Sequence, residues 1–205
     1  MKKIGFAVVL LMSAINCFAA DAAKQLLDIL TPLQNIQANF QQSILDKDGR
    51  VLEQTSGKMT LLRPGKFRWD TQKPSHQLLI ADGKKIWLYD ESLKQVTVQP
   101  QTKKAASPVM LLSDPTTKLM EQFSVRSTGQ AAKQLKFALT PKDKAGMFQR
   151  ADLVFEAGRL SQMQLFDSLG QKTIITFTDV KTNNTLSSNL FEFTPPKGVD
   201  VVTGQ

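Results

Sequence analysis

Most of the chain alternates apolar and polar residues with the period of a β-strand. The alternation starts at Ile36, Ala38 and Phe40 and returns within 54–70, and turn residues such as those of 81–85 divide it into short runs. Turn signals at intervals of roughly 8–12 residues are typical of an antiparallel meander. About ten strands are too many for one flat sheet, so we expect them to curl strongly or to close into a barrel. The other predicted strands are 77–80, 86–90, 93–100, 123–127, 134–141, 151–158, 159–167, 173–180 and 191–195.

Two parts of the chain have a helical period instead. Residues 22–33 place four leucines on one side of a helix. Ser-Pro at 107–108 and Asp-Pro at 114–115 are helix starts, because Ser or Asp caps the helix and Pro suits its first position. They predict two short helices, 109–113 and 116–122, each with one apolar side. Such helices, inserted between strands of a curved sheet, are expected to cover its concave face.

The N-terminus has the pattern of a secretory signal peptide. Lys2 and Lys3 precede an apolar run at 4–12, and small residues follow that run. The run is shorter than the about 20 apolar residues that span a bilayer. We therefore expect a signal peptide at 1–20 and one exported domain at 21–205, whose length of about 185 residues suits a single hydrophobic core.

Cys17 is the one cysteine of the sequence, and it bears on whether the protein is anchored to a membrane. A lipidation motif usually has a small residue just before the cysteine, and Asn16 fits that position poorly. If Cys17 leaves with the signal peptide, the exported domain has no cysteine and forms no disulfide. Its stability must then come from a packed core.

The chain is basic, with 26 Lys and Arg against 18 Asp and Glu. Without the two lysines of the signal peptide the net charge is +6, and no run of basic residues exceeds two. A basic balance can reflect nucleic acid, anionic lipid or an acidic partner. Because the charges are scattered and the protein is exported, we expect no nucleic acid and interpret the charge as solubility and steering towards a partner.

The residues that catalysis requires are scarce. His76 is the only histidine, and no cysteine or second histidine is spaced to join it in a metal site or a catalytic triad. The acid pairs 46/48 and 90/91 fall in predicted turns, where Asp stabilises the backbone. No glycine-rich phosphate-binding motif is present. We therefore expect neither an enzyme nor a bound cofactor.

Apolar side chains, by contrast, are abundant, with 12 Phe and 7 Met. On one face of a curled sheet these residues can simply form the core. They can also line a cavity for an apolar ligand, because a curled sheet covered by helices encloses space. Composition alone leaves both interpretations open and favours the core.

Four segments carry a resemblance to a known family. They are GKMTLLRPGKFRW at 57–69, the hairpin PSHQLLIADGKKIWLYD with its following QVT at 74–97, SPVMLL at 107–112 and FEFTPPKGV at 191–199. In order and spacing they resemble the bacterial outer-membrane lipoprotein carrier family, LolA, and the resemblance runs over about residues 21–200. No single motif is specific, but four in order behind a signal peptide are.

The resemblance implies an incomplete antiparallel β-barrel of about eleven strands with an α-helical lid, in the Gram-negative periplasm. Members of the family take acylated lipoproteins from an ATP-driven inner-membrane complex of the ABC transporter type and pass them to an outer-membrane receptor. The implied partners are therefore lipoprotein cargo, that transporter complex and that receptor. The implied protein is a monomer, without a cofactor and without nucleic acid.

The resemblance also implies functional residues. In the family an arginine of the Arg-Pro motif hydrogen-bonds the lid helices in the closed, empty form, and that position is Arg63 here. The alternative for Arg63 is a solvated cation at a strand edge. For the predicted lipid-cavity residues the alternative is ordinary core packing, and Val109 stands where relatives often have Phe. These predicted cavity residues are Met59, Leu61, Phe67, Trp69, Val109, Met110, Leu111 and Leu112.

Three other functions remain open from the sequence. A lipidated outer-membrane receptor of the same fold would use Cys17 as its anchor. An exported carrier or sensor of another lipid would need the same apolar cavity. An enzyme would depend on His76.

Overall fold

The computed structural model describes residues 15–101, 112–113, 116–131, 133–143 and 148–204. Within these ranges the helices are α1 (Ile15–Leu30) and α2 (Thr116–Gln122), with 3₁₀ geometry at 112–113 and at Ser188–Phe191. None of these helices is long and apolar enough to cross a bilayer. The strands are β1 (Asn35–Leu45), β2 (Val51–Leu62), β3 (Lys66–Lys73), β4 (Gln77–Asp82), β5 (Lys85–Asp90), β6 (Gln95–Pro100), β7 (Phe123–Ala131), β8 (Gln134–Pro141), β9 (Arg150–Glu156), β10 (Arg159–Phe166), β11 (Lys172–Thr182) and β12 (Asp200–Thr203).

The twelve strands of the described residues form one open, curled sheet in the order β12-β6-β5-β4-β3-β2-β1-β11-β10-β9-β8-β7. Neighbouring strands are antiparallel except for β12, which pairs in parallel with β6. The predicted fold class, a mainly β protein with short helices and an incomplete antiparallel barrel, is confirmed. The twelfth strand and its parallel pairing go beyond that prediction.

Two predicted elements differ in the structure. The helix predicted at 22–33 ends at Leu30, because Pro32 cannot continue it and the chain turns there. The strand predicted at 191–195 is wrong. Phe191 ends a 3₁₀ turn, and the ring of Phe193 lies against Trp87 and Tyr89, with centroid distances of 5.7 and 6.0 Å. The two phenylalanines alternate because they pack onto a face of the sheet, and the strand itself forms later, at β12.

The inner face of the sheet, which carries Phe40, Met59 and Trp69, holds the main core. Met59 lies directly opposite Trp69 in the β2–β3 ladder, and residues directly opposite each other project from the same face. The buried cluster on this face includes Leu26 of α1 and Leu119 of α2. The helices therefore cover the inner face, as their apolar sides predicted.

A second, smaller buried group lies on the outer face, under the C-terminal segment. Leu78, Ile80, Val96 and Phe191 are buried there, and none of them belongs to the cluster on the inner face. Residues 188–199 cross this face before β12 joins the sheet edge. The strands β4 to β6 are thus covered by apolar contacts that do not involve the helices of the inner face.

Candidate functional site

The turn between β2 and β3 brings the sheet against both helical regions. Its residues are Arg63, Pro64 and Gly65, and the Arg63–Pro64 peptide bond is cis. Gly65 has a φ of 72°, in the left-handed region that glycine adopts without a steric cost. The Gly65 N–H donates to the carbonyl of Ser113 at 2.8 Å, and the Arg63 N–H donates to the carbonyl of Gln34 at 2.9 Å. The backbone of this turn is thereby fixed to the segment after α1 and to 112–113.

The side chain of Arg63 makes the same two connections. Its Nε donates to the carbonyl of Leu112 at 2.9 Å. Its Nη1 donates to the carbonyl of Leu30 and, at 3.2 Å, to that of Leu33. The last carbonyls of a helix have no partner inside the helix, so the C-terminal end of α1 offers these acceptors. One guanidinium therefore joins α1 to residue 112.

The electrostatic environment of Arg63 is unusual for a cation. Burial lowers the pKa of its guanidinium from the ordinary value, although an arginine stays charged at any physiological pH. Among the described residues no carboxylate forms an ion pair with it. Its charge is balanced by carbonyl oxygens, and that of Leu30 lies at the negative end of the α1 dipole. No acidic residue adjoins Arg63 in the sequence, and these backbone carbonyls take the place of one.

The predicted cavity residues that the structure describes lie together beside Arg63. Met59, Leu61, Phe67 and Leu112 are fully buried in the inner-face cluster, and Trp69 packs against it while partly exposed. Four of these project from β2 and β3 in register, so the strand period places them on one face. In this structure they are packed against one another and against α1. Val109, Met110 and Leu111 lie outside the described residues.

Phe40 belongs to this site, although the sequence reasoning did not include it. Its ring stacks on that of Trp69 with a centroid distance of 3.7 Å, and the ring of Phe67 also stacks with Trp69, at 6.0 Å. The alternation of Ile36, Ala38 and Phe40 had already placed Phe40 on an apolar face. The strand pairing was needed to show that this is the face of Trp69.

The other predicted candidates lie away from this site. His76 follows β3, where its Nδ1 lies 2.8 Å from Glu91 Oε2 and its Nε2 lies 3.2 Å from Asp70 Oδ1. Asp46 accepts hydrogen bonds from the backbone N–H groups of Asp48 and Arg50, both at 2.9 Å. The prediction that Asp46 stabilises a turn is confirmed. The contacts of His76 are those of an ion-pair network at the edge of a hairpin.

Comparison of the sequence with known proteins identifies its family. The family described as "Outer membrane lipoprotein carrier protein LolA" matches residues 31–194. Outer-membrane lipoprotein carrier proteins of Pseudomonas aeruginosa UCBPP-PA14 and Legionella pneumophila Corby are each 40% identical to this chain. The alignments cover 96% of both chains for the first, and 98% of this chain and 99% of the relative for the second.

A solved structure supports the fold alone. An uncharacterized conserved protein of Thermus thermophilus superimposes with a TM-score of 0.59 at 17% identity, over 89% of this chain and 99% of that one. The family match covers most of the sequence, and the relatives align over nearly their whole length. The chain therefore belongs to the outer membrane lipoprotein carrier family, LolA.

Proposed function

We propose that this protein is a periplasmic chaperone that carries lipoproteins by holding their acyl chains against the inner face of its sheet. The names of its relatives support this role. The observation that carries it is the position of Arg63, which ties α1 and residue 112 together over a continuous apolar surface. A structural cation at a strand edge would have no need of acceptors from two helical regions.

A carrier of this kind has to open its own core. Transfer of an acyl chain from water into an apolar site is worth about 0.8 kcal/mol per methylene, so a lipoprotein does not cross an aqueous space unaided. Met59, Leu61 and Phe67 are buried in the present structure, so α1 and the segment around Leu112 must move away to admit a chain. The energy of acyl burial then replaces the contacts that the helices lose.

The hydrogen bonds of Arg63 suit a latch that opens reversibly. Hydrogen bonds to a charged group contribute about 1.5–3 kcal/mol each, and water can replace a backbone carbonyl as the partner of the guanidinium. A buried carboxylate would hold the cation more firmly, because breaking such a pair costs about 3–5 kcal/mol. Within the part of the chain that the structure describes, the carbonyl partners of Arg63 would therefore keep the closed form stable without preventing loading.

The finer parts of this proposal concern the partners. An inner-membrane ABC transporter complex would load the carrier, and an outer-membrane receptor would unload it. The protein itself would perform no chemistry and need no cofactor. It would act as a monomer, after removal of residues 1–20 during export.

The substitution Arg63→Leu tests the latch. Leucine cannot donate to the carbonyls of Leu30, Leu33 and Leu112, so the open, loaded form becomes favoured and lipoprotein should accumulate on the carrier. The measurement is the rate at which loaded carrier passes lipoprotein to its receptor, with circular dichroism to verify the fold. Arg68→Leu is the matched control, because Arg68 is a partly buried arginine of β3 whose guanidinium binds Asp70 and the Leu190 carbonyl instead. Transfer by Arg63→Leu at the normal rate would show that Arg63 is not a latch.

A further inference from the structure

A row of side chains runs along the inner face from the core towards one edge of the sheet. Each strand from β2 to β6 contributes one residue, which lies opposite the residue of the next strand. In this order the residues are Met59, Trp69, Leu79, Leu88 and Thr97. Directly opposite residues of an antiparallel pair share a face. The row therefore continues the surface of the candidate site across three further strands.

Val202 completes the row on the edge strand β12. It pairs with Thr97 in the parallel β12–β6 ladder. The surroundings of Gly204 show that its Cα faces inward, since a Cβ added to it would lie 3.5 Å from Thr97 Cγ2 and 3.4 Å from Gln99 Cβ, both of the inner face. Residues two apart in a strand project to the same side, so Val202 faces inward with Gly204. We call Leu79, Leu88, Thr97 and Val202 the edge row.

The edge row is more exposed than the core from which it leads. Met59 is buried, and Trp69 and Leu79 pack against the core while partly exposed. Leu88 is 44% exposed and Val202 is 44% exposed. Four strand spacings separate β3 from β12, a distance of about 19 Å. An apolar strip therefore leads from the candidate site to the open edge of the sheet.

The exposed part of the strip is only one side chain wide, because the apolar row beside it is buried. On one side it is bordered by an inward-facing polar row, in which Gln77 lies opposite Asp90 and Asp90 lies opposite Gln95. On the other side the apolar row of Phe67, Ala81 and Ile86 gives way to Gln99 on β6. Protein partners usually bury about 800 Å² on each side over roughly 20–30 residues, which a single row does not supply. A long, narrow exposed strip, with a polar row on one side and buried side chains followed by Gln99 on the other, instead matches an extended alkyl chain.

We infer that the edge row is the track along which one acyl chain of the cargo lies, with its far end in the core beside Trp69. This inference rests on the proposed function and adds where a chain lies. The acyl chain would be more deeply buried at Met59 than at Leu88 and Val202. It would therefore leave from its exposed end first. The edge of the sheet at β12 would then be the side from which cargo is handed on.

Photo-crosslinking tests this assignment directly. A benzophenone amino acid replaces Val202 or Leu88 in the full mature protein, which is then loaded with a triacylated lipopeptide carrying a radiolabelled palmitoyl chain. Val201 is the matched control, because it neighbours Val202 on the same strand, is 53% exposed and projects from the opposite face. Label is expected on the probes at 88 and 202, with little at 201.

The affinity for the lipopeptide is a second measurement, and the variant at Leu88, on β5, does not depend on any local change in β12. Val202→Asp and Leu88→Asp should each weaken binding of the lipopeptide roughly fivefold, since a half-buried aliphatic contact is replaced by a charge. Val201→Asp should leave binding unchanged.

The outcomes separate the two proposals. If the unmodified protein binds no lipopeptide, the proposed function fails. If it binds lipopeptide but positions 88 and 202 take up no label, or no more than position 201, only the edge row is overturned.

Discussion

Two arginines near the start of β3 show how the partners of a residue determine its role. Arg68 pairs with Asp70 at 3.0 Å, and its guanidinium also reaches the Leu190 carbonyl on the outer face. Among the described residues, the guanidinium of Arg63 donates to backbone carbonyls only. An ion pair fixes Arg68 in place, whereas the acceptors of Arg63 belong to segments that, in the proposed function, separate from the sheet. The side chains are identical, and only the structure distinguishes their tasks.

Of the glycines in the described residues, Gly57 has the least room for a side chain. It lies opposite Phe40 in β1 and beside the irregularity in the β2–β3 pairing. A Cβ at this position would lie 1.9 Å from the Asp70 carbonyl oxygen and 2.9 Å from its carbon. These are backbone atoms, which cannot rotate away as a flexible side chain does.

Gly57→Ala should therefore destabilise the protein by about 2–4 kcal/mol, because β2 and β3 must move apart beneath the Phe40–Trp69 stack. Equilibrium urea unfolding measures the change. Gly129→Ala is the control, since a Cβ there lies 3.8 Å from Lys136 Cβ, an ordinary contact. Its free energy of unfolding should change by no more than about 0.5 kcal/mol. Equal stability of the two variants would mean that the close approach at Gly57 is easily relieved.

The hairpin of β4 and β5 is organised by one carboxylate. Asp82 Oδ1 accepts hydrogen bonds from the backbone N–H groups of Lys84 and Lys85, both at 2.7 Å, and Oδ2 accepts one from Trp87 Nε1 at 3.1 Å. Partial burial acts to raise the pKa of Asp82, but the hydrogen bonds from Lys85, Trp87 and Lys84 outweigh it and hold this pKa below its ordinary value. The charged form is the one that stabilises the turn.

The hairpin should therefore weaken in acid. A carboxylate whose pKa is lowered by folding contributes stability above its unfolded pKa of about 3.9, and that contribution is lost as the pH falls through the folded value. Asp82→Asn should lower the free energy of unfolding at neutral pH by roughly 1–2 kcal/mol and flatten the loss of stability below about pH 4. Thermal melting at a series of pH values measures both effects. Asp48→Asn is the control, at an exposed turn carboxylate paired with Lys47 at 3.4 Å, and it should change neither the free energy of unfolding nor its loss in acid. A similar acid dependence in both variants would contradict the role given to Asp82.

At the scale of elements, the sequence predicted what depends on local period and turn chemistry. The hairpin turn at 81–85, the turn at 156–159 and the helix 116–122 follow from such signals and occur in the structure. The sequence could not predict which edge β12 would join, because a four-residue strand has little pattern and its partner β6 lies about a hundred residues earlier. The error at 191–195 has a related cause, since alternation indicates two sides of a segment but not what each side meets.

The candidate site divides in the same way. Alternation placed Met59, Leu61, Phe67 and Trp69 on a common apolar face, and the strand register confirms that grouping. No local pattern assigns partners to Arg63, because its acceptors lie at Leu30, Leu33 and Leu112, far away in the chain. The latch role proposed for it came only from the resemblance, and the contacts are compatible with that role.

At the scale of the whole molecule, the described residues form two separate buried groups, and this division suits the opening that the proposed function requires. The inner-face cluster includes α1 and α2, while Leu78, Ile80, Val96 and Phe191 are buried on the outer face under the C-terminal segment. Movement of the helices would expose the first group and leave the second intact. The sheet can therefore keep its strand order while its inner face is loaded.

The mature protein should accordingly bind a fluorescent fatty acid in competition with a triacylated lipopeptide, because both would occupy the same apolar face. Displacement of the probe is followed by fluorescence, and heat capacity should fall on binding as apolar surface is buried. Probe uptake that the lipopeptide does not displace would point to two separate sites. Absence of uptake for both ligands would argue against any cavity beneath the helices.

The parallel pairing of β12 with β6 also bears on aggregation. An open sheet has two unpaired edges, and an exposed edge strand is a template for pairing with another chain. Without β12, the six-residue strand β6 would form one of those edges, with Val96 and Val98 in its centre. The chain covers this strand with its own last four-residue strand, so the remaining edge on that side is short. The pairing with β12 thereby removes the edge of β6 as a template on which another chain could add a strand.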